Sequence, residues 1–153
     1  MKYASIVPLI GGETIAMQNV FGKLPEYILS YKAFEANDSQ LVEYYRGEVP
    51  YHLLDEYRVL PVNVDVVNTV CPCAGLSSLS PSASSDNAAN DWMIESANYV
   101  LNQIQPKVFW GENAPRLASK MGEHVVERLR KVVEEAGYTF TIYKTMSKLH
   151  GLS

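Results

Sequence analysis

The chain has 153 residues, of which 47% are apolar and 20% charged, and its formal net charge is −4. That length suits one domain with a substantial core, and the acidic balance excludes a globally basic nucleic-acid binder while leaving room for a local basic face. Two cysteines exclude a disulfide scaffold, and neither a signal-peptide pattern nor an apolar run of bilayer length occurs, so a soluble, reducing, cytoplasmic setting is expected.

The stretch "KYASIVPLI" is an apolar, β-rich run that ends at Gly11-Gly12, and "ETIAMQNVFG" after it has helix-compatible composition. "YILSYKAFE" predicts a second strand with Glu35 at its end, and "SQLVEYY" a short helix. "VNVDVVNTV" is β-branched and apolar, as a buried parallel strand should be, and it runs into Cys71-Pro72-Cys73. "GLSSLSPSASSDNAAN" has loop composition. "DWMIESANYVLNQI" carries Met93, Ala97, Val100 and Ile104 at amphipathic spacing, with Asp91 as the expected N-cap. "KVFWGEN" reads as another buried strand. "HVVERLRKVVEEAG" puts Val125, Leu129, Val132 and Ala136 on one face with Gly137 as the C′ residue, and "YTFTIYKTM" alternates as a last strand. The order β-α-β-α-β-loop-α-β-α-β predicts an α/β fold, a parallel sheet covered by helices on both faces, with no internal repeat or domain boundary.

Ligands of such sheets bind beyond the carboxyl ends of the strands. Here those ends carry Gly11-Gly12, Glu35, Pro72-Cys73 and Glu112-Asn113. A glycine pair before a helix lets a ligand approach the backbone, and an acidic residue 23 positions beyond Gly12 suits ribose hydroxyls. The plainer alternative is a tight turn and a solvated carboxylate. Cys-Pro-Cys lacks a partner pair for zinc among His52, His124 and His150, and its spacing is not that of a Cys-x-x-Cys redox pair. A buried inert thiol and an activated nucleophile both stay open. Glu112 at the end of an apolar strand suits a general acid, or Glu112-Asn113 caps the segment that follows. The Ser-rich stretch is a surface loop or a lid. Arg128, Arg130 and Lys131 lie among glutamates, as on a solvated helix face.

Taken in order, these residues resemble the cytosine-5 DNA methyltransferase family over nearly the whole chain. The family's Pro-Pro-Cys-Gln-x-Phe-Ser looks like Cys71-Pro72-Cys73-Ala74-Gly75-Leu76-Ser77, with Asp65 eight residues before the nucleophile. Its Glu-Asn-Val looks like Glu112-Asn113-Ala114, and its Asp-Leu-Phe-Ala-Gly-x-Gly-Gly looks like the segment from Ser5 to Gly12. "FEAND" is similar to its acidic second motif, and "LRKVVEEAGYTFTIYKTMSKLHGLS" to its later stretch ending Tyr-Gly-Val-Pro-Gln. Departures are Ser5 for the aspartate, Leu9 for the first glycine, Cys71 for the first proline and Ala74 for the glutamine.

The resemblance implies a Rossmann-like methyltransferase fold and S-adenosylmethionine as cofactor. It implies DNA as partner, with a cytosine flipped out of the duplex, and neither metal nor membrane. Cys73 would attack C6, Glu112 would protonate or hydrogen-bond N3, and Asn113 would position the Glu112 strand end. Ile10, Gly11, Gly12, Glu35, Asp55 and Pro72 would border the cofactor, and Ser77 would touch the nucleic-acid backbone. Residues 1–153 would be the cofactor-binding and catalytic part, ending before the family's target-recognition region, so that a surface exposed there could drive dimerisation. A tRNA-methylating branch shares these motifs, and a degenerate, non-catalytic domain for assembly or nucleic-acid binding is the alternative that Ser5 and Leu9 raise.

Overall fold

The computed structural model describes residues 1–56, 58, 61–70, 91–113 and 115–151. Cys71, Pro72, Cys73, Ser77 and the rest of the Ser-rich stretch fall outside the described residues. The chain divides into two compact units, one of residues 1–71 and 95–113 and one of residues 72–94 and 114–153.

The first unit is built on five parallel strands: β1 (Tyr3–Ile6), β2 (Ile28–Ser30), β3 (Tyr51–Leu53), β4 (Val66–Val70) and β5 (Val108–Glu112). Their order in space is β3-β2-β1-β4-β5. Helices α1 (Gly12–Phe21) and α2 (Glu35–Tyr45) make the β1–β2 and β2–β3 crossovers, and α3 (Asp91–Tyr99) precedes β5. Steps from β1 to β2 to β3 run one way along the sheet and the step from β4 to β5 runs the other. Right-handed crossovers therefore put α1 and α2 on one face and α3 on the opposite face. This is the doubly wound α/β arrangement that the alternation of elements predicts. The direction reverses between β1 and β4, so the crevice at the carboxyl ends of those two strands is the natural ligand position.

The core follows from the sequence pattern. All four residues of β1 are buried, as are Ile28 and Leu29 of β2 and Val67 of β4. Ile28, Leu41, Tyr45 and Val49 form a cluster under α2. Burying each such aliphatic side chain stabilises the fold by about 1.5–3 kcal/mol. Some of the polar residues in the core are linked to one another. Ser5 and Asn68 are register partners on β1 and β4. The Ser5 hydroxyl donates to Asn68 Oδ1 and lies 2.8 Å from Thr14 Oγ1 of α1.

Several expectations shift. β2 stops at Ser30, a 3-10 turn covers Lys32–Phe34, and Glu35 opens α2 instead of ending a strand. Leu29 and Ile28 find strand partners on both sides, but from Tyr31 onward the chain turns out of the sheet into the 3-10 turn. β3 has only three residues, too few to give a periodic signal, and the sequence pattern does not reveal it. Asp91 is the first residue of α3 and pairs with Arg128 at 2.8 Å within the second unit, so Arg128 is not simply solvated. α3 continues into a π-helical turn over Val100–Ile104, closed by Gln105 at φ 56°. β5, expected to be buried, is the edge strand of the described sheet, with Val108 50% and Trp110 37% exposed.

In the second unit α4 (Glu123–Glu135) buries Val125 and Val133 and ends in the expected glycine cap. Gly137 sits at φ 87° and donates to the Glu134 carbonyl, while Tyr138 N–H reaches the Val133 carbonyl. Residues 138–146 pair with no described strand, so the last predicted strand does not form; Arg130 instead lies 5.1 Å from the Phe140 ring centre.

Candidate active site

The loop between β1 and α1 is the first part of the site. Val7 and Leu9 stand at φ 49° and 52°, and Gly11 at 92°. Such angles cost a branched side chain on the order of 1–3 kcal/mol and persist only where surrounding contacts over-determine them. Leu9 occupies the place of the family's first glycine, and its left-handed backbone is the conformation a glycine there would take without strain.

Gly11 and Gly12 serve different ends. A Cβ on Gly11 would lie 2.5 Å from Leu41 Cδ1, and Leu41 is buried, so Gly11 is required by the fold. A Cβ on Gly12 would meet nothing within 4 Å. Gly12 thus opens α1 with its backbone accessible at the positive end of the helix dipole. Ile10, 73% exposed, stands at the crest of the same loop.

The second part lies beyond β2 and β3. Tyr31, Leu54, Asp55, Glu95, Asn98, Tyr99, Asn102 and Gln103 line a cavity of about 260 Å³. Asp55 Oδ1 accepts the Lys32 N–H at 2.9 Å, which ties the end of β3 to the turn after β2. Tyr31 is buried, and burial pushes its phenol up to about 12. Glu35 is not among the lining residues. Its carboxylate receives Lys32 Nζ at 2.7 Å, and that ammonium also lies 3.8 Å from Glu56. The acidic groups at the cavity are therefore Asp55 and Glu95, and Glu35 belongs to a half-exposed ion pair on the first turn of α2.

The third part joins α1 to β5. Glu112 ends β5 as the register partner of Val70, and Val70 is followed in sequence by Cys71-Pro72-Cys73. Glu13, on the first turn of α1, has its pKa held above the ordinary carboxylate range by burial and by repulsion from the Glu112 carboxylate. Its Oε2 is buried and accepts no hydrogen bond among the described residues. The glycine-led helix and the strand end that carries Glu112 and Asn113 thus converge across β4. Sequence reasoning missed Glu13, because an acid on a first helical turn is ordinarily explained by the helix dipole.

Asp65 sits at the other end of the sheet. It accepts the Lys2 N–H at 2.9 Å and lies 3.5 Å from Lys107 Nζ, contacts that hold its carboxyl below the usual range, with the backbone hydrogen bond the leading cause. It clamps the amino-terminal ends of β1, β4 and β5. Among the described residues no group of three or more His, Cys, Asp or Glu side chains could hold a metal ion, and no helix is long and apolar enough to cross a membrane.

A doubly wound parallel sheet with a glycine-led helix at its switch point and acidic strand ends around it defines a Rossmann-like α/β protein of the methyltransferase type. The model of the C-5 cytosine-specific DNA methylase family matches residues 1–151, and the chain belongs to that family. No curated protein matches it. Methylases of this family draw on S-adenosylmethionine in general. The open face of Gly12 suits the close approach of such a cofactor. The cavity beside Asp55 is smaller than a complete small-molecule pocket, which runs from about 300 Å³, and suits one end of the cofactor.

Proposed function

We propose that this chain transfers the methyl group of S-adenosylmethionine to C5 of a cytosine in DNA, through a transient covalent bond to Cys73. The observation that carries the proposal is the convergence of Gly12, Glu13 and Glu112 at the end of β4, in a chain matched along residues 1–151 by the methylase family. The bound cofactor supplies an electrophilic methyl group. Cys73, as thiolate, adds to C6 of the flipped base and drives electrons toward C5. Glu112 hands a proton to N3, or hydrogen-bonds it, so that charge leaves the ring; Asn113 positions the strand end that carries Glu112. After methylation, loss of the C5 proton to a base, expulsion of the thiolate and return of any N3 proton to Glu112 restore the ring. Ile10, Gly12 and Asp55 border the cofactor, with Pro72 beside the nucleophile and Ser77 on the nucleic-acid backbone. Gly11 shapes the loop they share. Glu35 serves here only if its pair with Lys32 opens.

Transfer of labelled methyl groups to duplex DNA and to tRNA, measured side by side, tests the proposal. Incorporation into DNA at C5 is expected. Glu112→Gln is expected to lower the rate by about 10²–10⁴-fold, the range for loss of a general acid. Methylation confined to tRNA would overturn the substrate assignment, and full activity in Glu112→Gln would overturn the role of Glu112.

A further inference from the structure

We propose that Asp38 is a positioning residue for the cofactor loop, its buried carboxylate holding residues 7–11 in the left-handed turn that presents Gly12. The proposal rests on reading that loop as the cofactor site. Asp38 lies on α2 and is fully buried, yet no cation pairs with it among the described residues. Its two oxygens accept from two fixed donors, and the Ser30 hydroxyl of β2 also faces the carboxylate. Leu9 N–H donates to Oδ1 at 2.9 Å, and the Tyr51 hydroxyl donates to Oδ2 at 2.6 Å. One carboxylate thus ties the β1–α1 loop to α2 and to β3.

The need for the tie is visible in the loop itself. Val7 and Leu9 both hold positive φ, which a leucine adopts only under constraint. The Leu9 amide that Asp38 captures belongs to one of these two strained residues. Two residues on, Gly11 packs its bare Cα against Leu41, one helical turn from Asp38 along the same face of α2. α2 therefore grips the loop at two points, a hydrogen bond at Leu9 and a steric seat at Gly11. Burial of the carboxylate raises its pKa, opposed by the hydrogen bonds it receives, so the group is kept in place at some cost to the fold.

The test measures S-adenosylhomocysteine affinity by calorimetry and amide hydrogen exchange at Leu9, in the wild-type chain, Asp38→Asn, Asp38→Ala, and Asp38→Ala with Leu9→Gly. Asp38→Ala is expected to weaken binding about tenfold to a hundredfold, the scale of a hydrogen bond to a charged group, and to release the Leu9 amide to exchange. Asp38→Asn keeps an acceptor for Leu9 and guards against simple unfolding; it is expected to stay within about threefold of wild type. Leu9→Gly removes the strain, so the double variant is expected to recover most of the lost affinity. If Asp38→Ala binds as tightly as wild type with Leu9 still protected, or if Leu9→Gly recovers nothing, the proposal is overturned. If the wild type itself does not bind while Leu9 exchange still depends on Asp38, the cofactor reading of the loop fails and the positioning role falls with it, leaving Asp38 a purely structural tie.

Discussion

Gly11 and Gly12 are neighbours with opposite requirements, and the difference separates fold from function. Gly11 needs both a positive φ and the absence of a Cβ. Gly11→Ala is expected to destabilise the chain by about 1–3 kcal/mol, read as a drop in the denaturant midpoint. Gly12 has open space, so Gly12→Ala is expected to leave stability within about 0.5 kcal/mol, while a bulkier Gly12→Val weakens S-adenosylhomocysteine binding. Equal affinity in Gly12→Val would place the cofactor elsewhere. Glu13 gives a pH signature. Its folded pKa is raised, so the folded state holds the proton more tightly than the unfolded chain. Stability from this group is therefore present below the ordinary glutamate pKa of about 4 and is lost as pH rises through the folded value. Glu13→Gln is expected to flatten that part of the melting-temperature profile; Asp65, with a lowered pKa, works in the opposite sense at lower pH and is common to both proteins. At this scale the places of the glycine pair before α1 and of Glu112 at the end of β5 were legible from the strand boundaries, although each is a weak signal of chemistry taken alone. Asp38 and Glu13 were not, since their meaning lies in what faces them across the fold.

At the scale of elements, α2 is the support of the site. Leu41 fills the space that a Cβ on Gly11 would enter and also packs in the cluster with Ile28, Tyr45 and Val49. Leu41→Ala is expected to cost about 2–5 kcal/mol. In that background Gly11→Ala loses its steric penalty and keeps only the φ penalty, so the two substitutions should be less than additive by about 0.5–3 kcal/mol. Strict additivity in urea melts would show that Leu41 does not seat the loop. The strands with continuous apolar runs, β1 and β4, were legible because burial on both faces writes itself into composition. β2 and β3 were harder. "YILSYKAFE" looks like one strand, yet only three of its residues pair, because the chain must turn to start α2. "YHL" is too short for any period to appear. The last predicted strand alternates well, but alternation makes a strand only where a neighbouring backbone completes its hydrogen bonds.

At the scale of the whole molecule, the doubly wound topology brings separated motifs to one edge of the sheet. Parallel strands deliver their carboxyl ends to one edge, so the loop after β1, the cavity after β2 and β3, the exit of β4 and the Glu112 end of β5 share that edge. In the proposed reaction Cys73, and not its neighbour Cys71, forms the covalent bond to cytosine. DNA containing 5-fluorocytosine retains the adduct, because fluorine at C5 cannot leave as a proton does. Incubated with this DNA and S-adenosylmethionine, the wild-type chain and Cys71→Ala are expected to give a denaturation-resistant protein–DNA complex, and Cys73→Ala none. An adduct that survives Cys73→Ala, or is lost only in Cys71→Ala, would contradict the account.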